Sequence, residues 1–590
     1  MNAPDADADG QSTAASTTGS PPHRPEASVV TTKRGAQWPL SGLLAGAFGL
    51  AVAELFVGVF DNFTSPILSV GDKAIDLVPV PLKDFAIRTF GTRDKQALLF
   101  GIFSAIAVFA LLVGFIGRRR PALAVAGFGL FGVAGATAAV TGRTGESSDA
   151  VPSFVAIAAA IGVFLLLRRS ILGQLLLPRR SDRLPVARDA GGTVVAGGGS
   201  RRRFLGQPLP PRRSDRGPVP VVRDAGGTVV AGGGSRRQFL ALAGGAAVAA
   251  AGIGTIGRLL QNSAGAIARR LAVVLPRAKQ PLAVLPASIG VAELTTANPF
   301  FTPNKDFYRI DTALVVPKID VDSWTLRLKG MVGIERTYTY EDLLSRNLVE
   351  RDITLTCVSN EVGGILMGNA RWLGVPLREL LAEAEVDPKA TQVVGRSVDG
   401  WTSGFPMSAV TDGRDTLVAV AMNGEPLPFQ HGFPARLIVP GLYGYVSATK
   451  WLTEIEATTM EAFDAYWVPR GYAKQAPIKL ASRIDVPRGL STIPPGRSAV
   501  AGVAWAQRRG ISKVEVNIDS AGWQEAELAD DVSTDTWRQW RFAWDATPGS
   551  HDIAVRAYDG TGTLQAEERV APLPNGATGW HSVIVLVSGG

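Results

Sequence analysis

Four long apolar runs near the N-terminus constrain the fold of this chain more than any other feature of its 590 residues. The runs cover Leu40–Phe60, Ala97–Gly117, Ala122–Val140 and Val151–Leu167. Each is 17 to 21 residues long, and a helix needs about 20 residues to cross the hydrocarbon core of a bilayer. Their many Gly and Ala residues favour close packing between helices in lipid. We therefore predict a region of four transmembrane helices over residues 39–167.

Basic residues at the ends of these runs predict their orientation. Arg118–Arg120 follow the second run and Arg168–Arg169 follow the fourth, while Lys33 and Arg34 precede the first. Because Lys and Arg close to span ends are retained in the cytoplasm, we expect a multi-pass protein of the cytoplasmic membrane with its N-terminus inside. Residues 1–38 are polar and lack periodicity, which predicts a disordered tail.

Two polar features interrupt the apolar region. Glu54 lies within the first run, where an ionisable group is costly and marks either a functional group or a side chain with a polar partner inside the bundle. We favour the second interpretation. The segment Pro66–Phe90 carries Pro and several charges, which predicts an interfacial helix or a loop. No histidine lies in any of the four runs, so a bis-histidine haem between these helices is excluded.

Residues 168–238 form a basic linker that contains an internal duplication. Arg188–Arg202 recurs unchanged as Arg223–Arg237, and each copy ends in Ser-Arg-Arg-x-Phe-Leu. This pattern resembles the twin-arginine export signal, and Arg236–Arg237 precede an uncharged apolar segment, residues 239–257, which we predict as a fifth transmembrane helix. An arginine-rich surface for anionic lipid or nucleic acid is the alternative, but the aspartates of the linker disfavour a nucleic-acid partner. We expect the export machinery to move a domain that has folded in the cytoplasm.

The remainder of the chain has the composition of an ordinary globular enzyme. Short strand-like and helical segments alternate over residues 290–465 and predict a mixed α+β domain. Over residues 475–590 strands follow one another between Gly, Pro and Asp turns, which predicts an immunoglobulin-like β-sandwich. The expected fold class is therefore multi-domain, with an α-helical transmembrane region, an α+β domain and a C-terminal sandwich.

The scarcity of cysteine and histidine limits the metal chemistry of this chain. It holds one cysteine, Cys357, and four histidines, which excludes an intramolecular disulfide, an all-cysteine zinc site and a cysteine-held iron–sulfur cluster. No Cys-x-x-Cys-His sequence is present to attach a c-type haem. By itself, a lone cysteine is more often a small buried hydrophobe than a ligand.

Two stretches of the α+β domain carry most of its polar motifs. The first joins Thr354–Asn360 to Ala370–Leu377, and the second joins Ala421–Arg436 to Lys450–Leu452. Their elements Cys-x-x-Asn, His-Gly-Phe-Pro-x-Arg and Lys-Trp-Leu resemble the sulfite-oxidase family of molybdopterin enzymes, over about residues 294–590. The resemblance implies an oxidoreductase that binds a molybdenum–molybdopterin cofactor and transfers an oxygen atom in a two-electron step.

The resemblance also implies roles for individual side chains. Molybdenum takes a soft thiolate from the protein, and Cys357 matches the cysteine that ligates the metal in this family. His431, Arg436, Lys450 and Asn360 match positions that bind the cofactor. Arg and Lys suit the phosphate of the pterin, because one offers a bidentate fork and the other a compact positive charge.

Further positions bear on the substrate. Arg309 matches the arginine that lies near the metal or an anionic substrate, and Tyr472 matches the active-site tyrosine, with Tyr466 as its rival. Sulfite oxidases follow the Cys-x-x-Asn element with two arginines, where this chain has Glu361 and Val362. Since a carboxylate repels a dianion, we expect poor sulfite binding or a less charged substrate such as a sulfoxide.

Together these features predict a membrane-anchored oxidoreductase whose catalytic domain lies on the extracytoplasmic side and acts on a small oxo compound. The expected partners are membrane lipid, the export machinery, and either a quinone or an external redox protein for the electrons. The dimerisation-type sandwich leaves a homodimer open. A non-catalytic scaffold on the same fold is the alternative, and the intact set of matched residues speaks against it.

Overall fold

The computed structural model describes residues 36–60, 63–79, 94–172, 235–261 and 264–589, together with Leu82, Phe85 and Thr89. Nearly all of the predicted tail over residues 1–38 lies outside these ranges. The same holds for most of the duplicated linker, including both copies of the repeat up to Gly234 and the first twin-arginine pair, Arg201–Arg202.

The described parts of the N-terminal region are mostly helical. Its helices are α1 Gln37–Val59, α2 Pro66–Leu77, α3 Asp94–Gly117, α4 Pro121–Val140, α5 Val151–Ile171, α6 Ser235–Gln261 and α7 Ala264–Ala272. By length and composition, α1, α3, α4 and α5 are each suited to cross a membrane, as the four apolar runs predict. The apolar part of α6, Phe239–Ile253, is shorter than these four, so the fifth span over residues 239–257 stays a prediction.

Glycines allow the helices of this bundle to approach one another closely. Gly42 in α1 faces Gly114 in α3, and a Cβ added at Gly42 would lie 2.1 Å from the carbonyl oxygen of Ala110. Farther along α1, a Cβ added at Gly49 would lie 2.5 Å from the carbonyl oxygen of Ala156 in α5. Larger side chains at these two crossings would force the backbones apart, which agrees with the packing expected from the small residues.

Glu54 has a polar partner inside the bundle. The Ser65 hydroxyl, which caps the N-terminus of α2, donates a hydrogen bond to the Glu54 carboxylate. Glu54 itself is buried. The favoured interpretation of Glu54 as a bundle-facing group with a polar partner therefore agrees with the structure, and the predicted interfacial segment begins with the short helix α2.

Residues 325–458 contain two β-sheets and four short helices. The first sheet has the order β2-β1-β10-β5-β6 and consists of β1 Thr325–Gly330, β2 Arg336–Thr339, β5 Gln392–Ser397, β6 Thr402–Pro406 and β10 Leu452–Thr458. The second has the order β3-β4-β7-β8, with β9 beside β7, and consists of β3 Val349–Thr356, β4 Met367–Pro376, β7 Leu417–Met422, β8 Glu425–Pro426 and β9 Arg436–Ile438. The helices are α8 Tyr340–Leu344, α9 Leu377–Glu383, α10 Ser408–Thr411 and α11 Gly444–Ser447. This arrangement agrees with the predicted α+β domain.

The C-terminal part forms two further sheets that share one apolar core. One has the order β11-β13-β17-β16, from β11 Ala481–Val486, β13 Gly496–Trp505, β16 Glu527–Leu528 and β17 Arg538–Ala546. The other has the order β12-β19-β18-β14-β15, from β12 Thr492–Ile493, β14 Ile511–Ile518, β15 Gln524–Glu525, β18 Gly549–Asp559 and β19 His581–Val587. Val514, Trp540 and Val585 meet in the common core. The immunoglobulin-like assignment of this pair of sheets remains a prediction.

The two soluble units pack tightly against each other. Trp505 and Trp537 from the C-terminal part belong to the main core of the α+β part. The ring of His581, from β19, packs closely against Gly363 in the loop after Cys357. A Cβ added at Gly363 would lie 2.3 Å from the Nε2 of His581. The C-terminal unit therefore supports the loop that carries the cysteine.

Candidate active site

Cys357 is the first residue after the buried strand β3. Its backbone N–H donates to the carbonyl oxygen of Leu366 at 2.9 Å, and Asn360 closes the same loop by accepting the N–H of Leu366 at 2.8 Å. Burial raises the pKa of the Cys357 thiol, and hydrogen bonds with Ser359 oppose that shift. Burial therefore disfavours the thiolate, and a nearby cation such as a bound metal would favour it.

A cavity of about 640 Å³ lies at the end of this strand. Among the side chains that line it from the soluble part are Asp311, Cys357, His431, Arg436, Lys450 and Tyr472. The other wall comes from α3 and from Ile75, Val78, Leu82 and Phe85 of the N-terminal region. The structure therefore brings five of the seven predicted site residues to one cavity, where the only thiol of the chain faces cationic and hydrogen-bonding groups.

His431 ends a turn of 3-10 helix, Phe429–His431, and is almost fully buried. Its Nε2 lies 2.8 Å from the carbonyl oxygen of Asn304, which can only accept, so Nε2 carries the proton. Burial lowers the pKa of His431 to about 4, and the nearby cations act in the same direction. At neutral pH the ring is therefore uncharged, and its Nδ1 is an acceptor.

Arg436 begins strand β9 and has its guanidinium buried at the cavity. Nη1 donates to the carbonyl oxygen of His431 at 3.0 Å, and the guanidinium carbon lies 5.1 Å from the ring centre of Trp372. Burial lowers the pKa of Arg436 to about 10. Gly432 lies close to both Arg436 and Lys450: it has a φ of +108°, and an added Cβ would lie 3.0 Å from the Cα of Lys450 and 3.2 Å from the Cβ of Arg436. These contacts explain why the His-Gly-Phe-Pro-x-Arg element needs its glycine.

Asp311 joins three cations at the edge of the cavity. Its carboxylate lies 2.5 Å from Nζ of Lys450 and 2.8 Å from Nε of Arg309, and it also pairs with Lys95 at the start of α3. Burial lowers the pKa of Lys450 to about 8, although Asp311 opposes that shift. Burial alone would raise the pKa of Asp311, but the three cations hold it well below its usual range.

The structure separates the two tyrosines that compete for the active-site position. Tyr472 lines the cavity, with its ring 5.4 Å from that of Tyr445. Tyr466 instead donates its hydroxyl to Asp76 of α2 at 2.6 Å, and Arg143, in the loop after α4, lies over its ring. The geometry therefore favours Tyr472 over Tyr466 at the cavity.

Four residues discussed in the sequence analysis do not line the cavity: Arg309, Asn360, Glu361 and Val362. Arg309 does not line the cavity and reaches it through Asp311, and Asn360 is occupied in the loop that follows Cys357. Glu361 is exposed and Val362 is half-buried, and neither lines the cavity. The expectation that the Glu361 carboxylate lies beside the metal thus has no support from its position.

Sequence reasoning missed Asp311 and Lys95. Asp311 follows Arg309 by two residues, and that short Arg-x-Asp spacing was a usable signal for an ion pair. Lys95 is more than 200 residues away from Asp311 in the sequence. It lies at the polar start of an apolar run, where a lysine is common and does not indicate a functional site. Only the folded arrangement brings it to the site.

Known proteins resemble the part of the chain that builds this cavity. Residues 313–467 match the family model of the oxidoreductase molybdopterin binding domain. The mitochondrial sulfite oxidase of Homo sapiens is 28% identical over 349 residues, which cover 50% of this chain and 63% of that protein. The uncharacterized oxidoreductase YuiH of Bacillus subtilis is 33% identical over 153 residues, 26% of this chain and 74% of that protein. The solved sulfane dehydrogenase SoxCD of Paracoccus pantotrophus has 23% identity and a TM-score of 0.44, covering 49% of this chain and 84% of its own.

A buried thiol among cationic groups, on a domain with this family match, defines a molybdopterin-binding oxidoreductase domain. Over that segment, the chain belongs to the sulfite-oxidase family of molybdenum-dependent oxidoreductases. It spans just under two thirds of the length of the human sulfite oxidase.

The residues of the cavity fit the molybdenum–molybdopterin cofactor that the family implies. Nε of Arg436 and Oγ of Ser397 are buried and lack a hydrogen-bond partner among the described residues, and both residues line the cavity. An anionic group with many hydrogen-bonding edges would satisfy these atoms and balance the charges of Arg436 and Lys450. In the described part of the chain, no cluster of three His, Cys, Asp or Glu side chains could hold a metal, so the thiol of Cys357 is the soft donor available.

Proposed function

We propose that this protein is a membrane-anchored molybdenum oxidoreductase that transfers an oxygen atom to or from a small oxo compound on the extracytoplasmic side of the membrane. The observation that carries the proposal is the shared cavity, in which the only cysteine of the chain faces His431, Arg436, Lys450 and Tyr472. When bound, the cofactor supplies the two-electron oxygen-atom transfer. The protein supplies its binding, its orientation and the environment of the substrate.

Each side chain of the cavity has a distinct role in this proposal. Cys357 ligates the metal through its thiolate, and Arg436 and Lys450 hold the anionic part of the cofactor. His431 is uncharged at neutral pH and offers Nδ1 to a hydrogen-bond donor of the pterin. Tyr472 lines the cavity and would donate its hydroxyl to the reacting oxygen.

Arg309 and Asn360 act indirectly. Arg309 donates to Asp311 at 2.8 Å and so helps to position the partner of Lys450. Asn360 shapes the loop that presents the thiol, through its hydrogen bond to Leu366. Both are positioning residues in this proposal, although the family resemblance implied direct contacts.

The substrate class follows from the charges at the cavity. Arg436, Lys450 and Lys95 are cationic, and Asp311 offsets part of their charge. An oxo anion or an oxo compound with a strong dipole, such as sulfite or a sulfoxide, suits this balance. A panel of both substrates, assayed with ferricyanide or reduced methyl viologen, tests the proposal. Turnover of neither substrate by molybdenum-loaded protein would contradict it.

The contacts between the two parts of the protein support the proposed sidedness. The soluble part meets the helical region at the start of α3, through Lys95, and at the loop after α4, where Arg143 donates to Thr312 at 2.8 Å. These ends are opposite to those followed by Arg118–Arg120 and Arg168–Arg169, which the positive-inside rule retains in the cytoplasm. Protease accessibility in spheroplasts tests this orientation, because cleavage of the catalytic part in intact spheroplasts is expected only if it lies outside.

The remaining partners follow from the same arrangement. Export through the twin-arginine machinery is consistent with Arg236–Arg237 at the start of α6, whose Phe239 packs against Leu167 near the cytoplasmic end of α5. The domain limits 290–465 and 475–590 stay as proposed units. Pairing of two sandwiches in a homodimer also stays a prediction.

A further inference from the structure

The cavity has two chemically different walls. The soluble part contributes the thiol and the charged groups, whereas the helical region contributes Ile75, Val78, Leu98, Gly101, Ile102 and Ala105. Among the described lining residues from the helical region, Lys95 is the only charged one. The apolar wall therefore faces the side of the cavity where the redox centre is expected.

The apolar wall continues into the membrane. Its residues from Ala97 to Ala105 belong to α3, which is long and apolar enough to span a bilayer. From Lys95 to Ala105 the helix rises by about 15 Å, roughly half the thickness of the hydrocarbon core. A lipid-soluble molecule inside the bilayer can therefore follow this wall to the cavity without crossing water.

The proposed reaction requires an electron partner. The one cysteine of the chain excludes a cysteine-held iron–sulfur cluster, and none of its four histidines lies in the apolar helices. A separate carrier that exchanges the two electrons of each turnover with the cavity fits this sequence. A carrier that handles two electrons together and dissolves in lipid matches both the chemistry and the wall.

We propose that the apolar half of this cavity binds a quinone, with its ring near Lys95 and its hydrocarbon tail along α3. This inference rests on the proposed function, and the quinone is the electron partner of the proposed oxidoreductase. In the oxidative direction, the reduced substrate and water yield the oxidised substrate with two protons and two electrons, and the quinone takes up all four to become a quinol. In the reductive direction the quinol gives up the same two protons and electrons, and water is released.

A glycine in the wall provides a direct test. An added Cβ at Gly101 meets no atom within 4 Å, so Gly101→Leu places a side chain in the cavity without a clash in the backbone. Gly162 in α5 also has open space around it and does not line the cavity, which makes Gly162→Leu a matched control. Filling a binding space with a side chain of this size weakens binding by about tenfold or more.

The assay compares two electron acceptors on the detergent-solubilised holoenzyme: decylubiquinone and ferricyanide. We expect the ratio of quinone-linked to ferricyanide-linked turnover to fall at least about tenfold in Gly101→Leu and to stay unchanged in Gly162→Leu. If the wild type reduces ferricyanide but not decylubiquinone, the quinone inference is wrong and the proposed function stands. If the molybdenum-loaded protein has no activity with any acceptor or donor, the proposed function fails.

A labelling experiment decides the inference without turnover. A photoactivatable azidoquinone is expected to label the peptide that contains Ala97–Ala105 in the wild type and in Gly162→Leu, and to label it much less in Gly101→Leu. Equal labelling of all three proteins, or equal labelling by an azido-phospholipid, would show an ordinary lipid-facing surface and overturn the inference.

Discussion

The carboxylate of Asp311 offers the sharpest test of how this site is held together. Its side chain is 5% exposed and pairs with Lys450, which is 10% exposed, while Arg309 and Lys95 approach the same oxygens. At an effective dielectric constant near 20, one such pair is worth about 4 kcal/mol at 4 Å. Asp311→Asn removes the anion and leaves the buried ammonium without compensation, which typically costs about 3–5 kcal/mol.

Thermal unfolding of the cofactor-free protein in detergent measures this cost. A loss of about 3–5 kcal/mol corresponds to a fall in Tm of roughly 6 to 20 °C for a domain of roughly 150 to 250 residues. Asp464→Asn is the matched control. It also removes a carboxylate paired with a lysine, since Asp464 lies 2.7 Å from Lys474, but the Asp464 side chain is 54% exposed. Exposed pairs contribute about 0–1 kcal/mol, so we expect a fall of at most a few degrees for the control.

The pH dependence gives a second readout with a definite sign. The pKa of Asp311 is lowered in the folded protein, so its contribution is complete above the unfolded value of about 3.9. The difference in Tm between wild type and Asp311→Asn should therefore be largest near pH 5 and shrink as the pH falls below about 4. It should also shrink as the pH rises toward about 8, where Lys450 loses its charge. Equal shifts for Asp311→Asn and Asp464→Asn at neutral pH would refute this account of the cluster.

Three further predictions concern catalysis and export. Tyr472→Phe should lower kcat by about tenfold or more, the usual contribution of a positioned hydroxyl, whereas Tyr466→Phe should leave steady-state turnover nearly unchanged. Glu361→Arg should change the KM for sulfite by less than about threefold, because this exposed side chain lies off the cavity; a large fall in KM would restore the repulsion argument. Arg236–Arg237→Lys–Lys should leave the catalytic part inaccessible to protease in spheroplasts, and the same change at Arg201–Arg202 should have no effect.

The sequence predicted the elements of this fold well where the pattern is local. The four apolar runs became α1, α3, α4 and α5, because length and composition alone decide whether a helix suits a bilayer. The C-terminal strands also follow the alternation of their residues, as the buried positions of β18 illustrate. The bounds differ from the apolar runs by a few residues: α1 and α3 each begin three residues before their runs, and α5 ends four residues after its run. Polar flanks can continue a helix without contributing to hydropathy.

The site was predictable only in the part that short motifs describe. His431, Arg436 and Lys450 lie within one continuous stretch, so their proximity follows from a few turns of chain. The partnership of Asp311 with Lys95 joins residues that are 216 positions apart, and no local pattern specifies such a contact. For Glu361 the sequence suggested a contact that the structure does not have. Glu361 is close to Cys357 in the sequence, but the loop turns at Gly363 and the Glu361 side chain lies outside the cavity.

The central claim is that the thiolate of Cys357 binds molybdenum in this cavity, and the metal content and the metal–sulfur coordination of the purified protein test it most directly. We expect near-stoichiometric molybdenum in the wild type after cofactor-replete expression, and X-ray absorption that shows one sulfur ligand fewer in Cys357→Ser, whose oxygen is a far poorer soft-metal ligand. Wild-type protein without molybdenum, or identical sulfur coordination and activity in both proteins, would contradict the account.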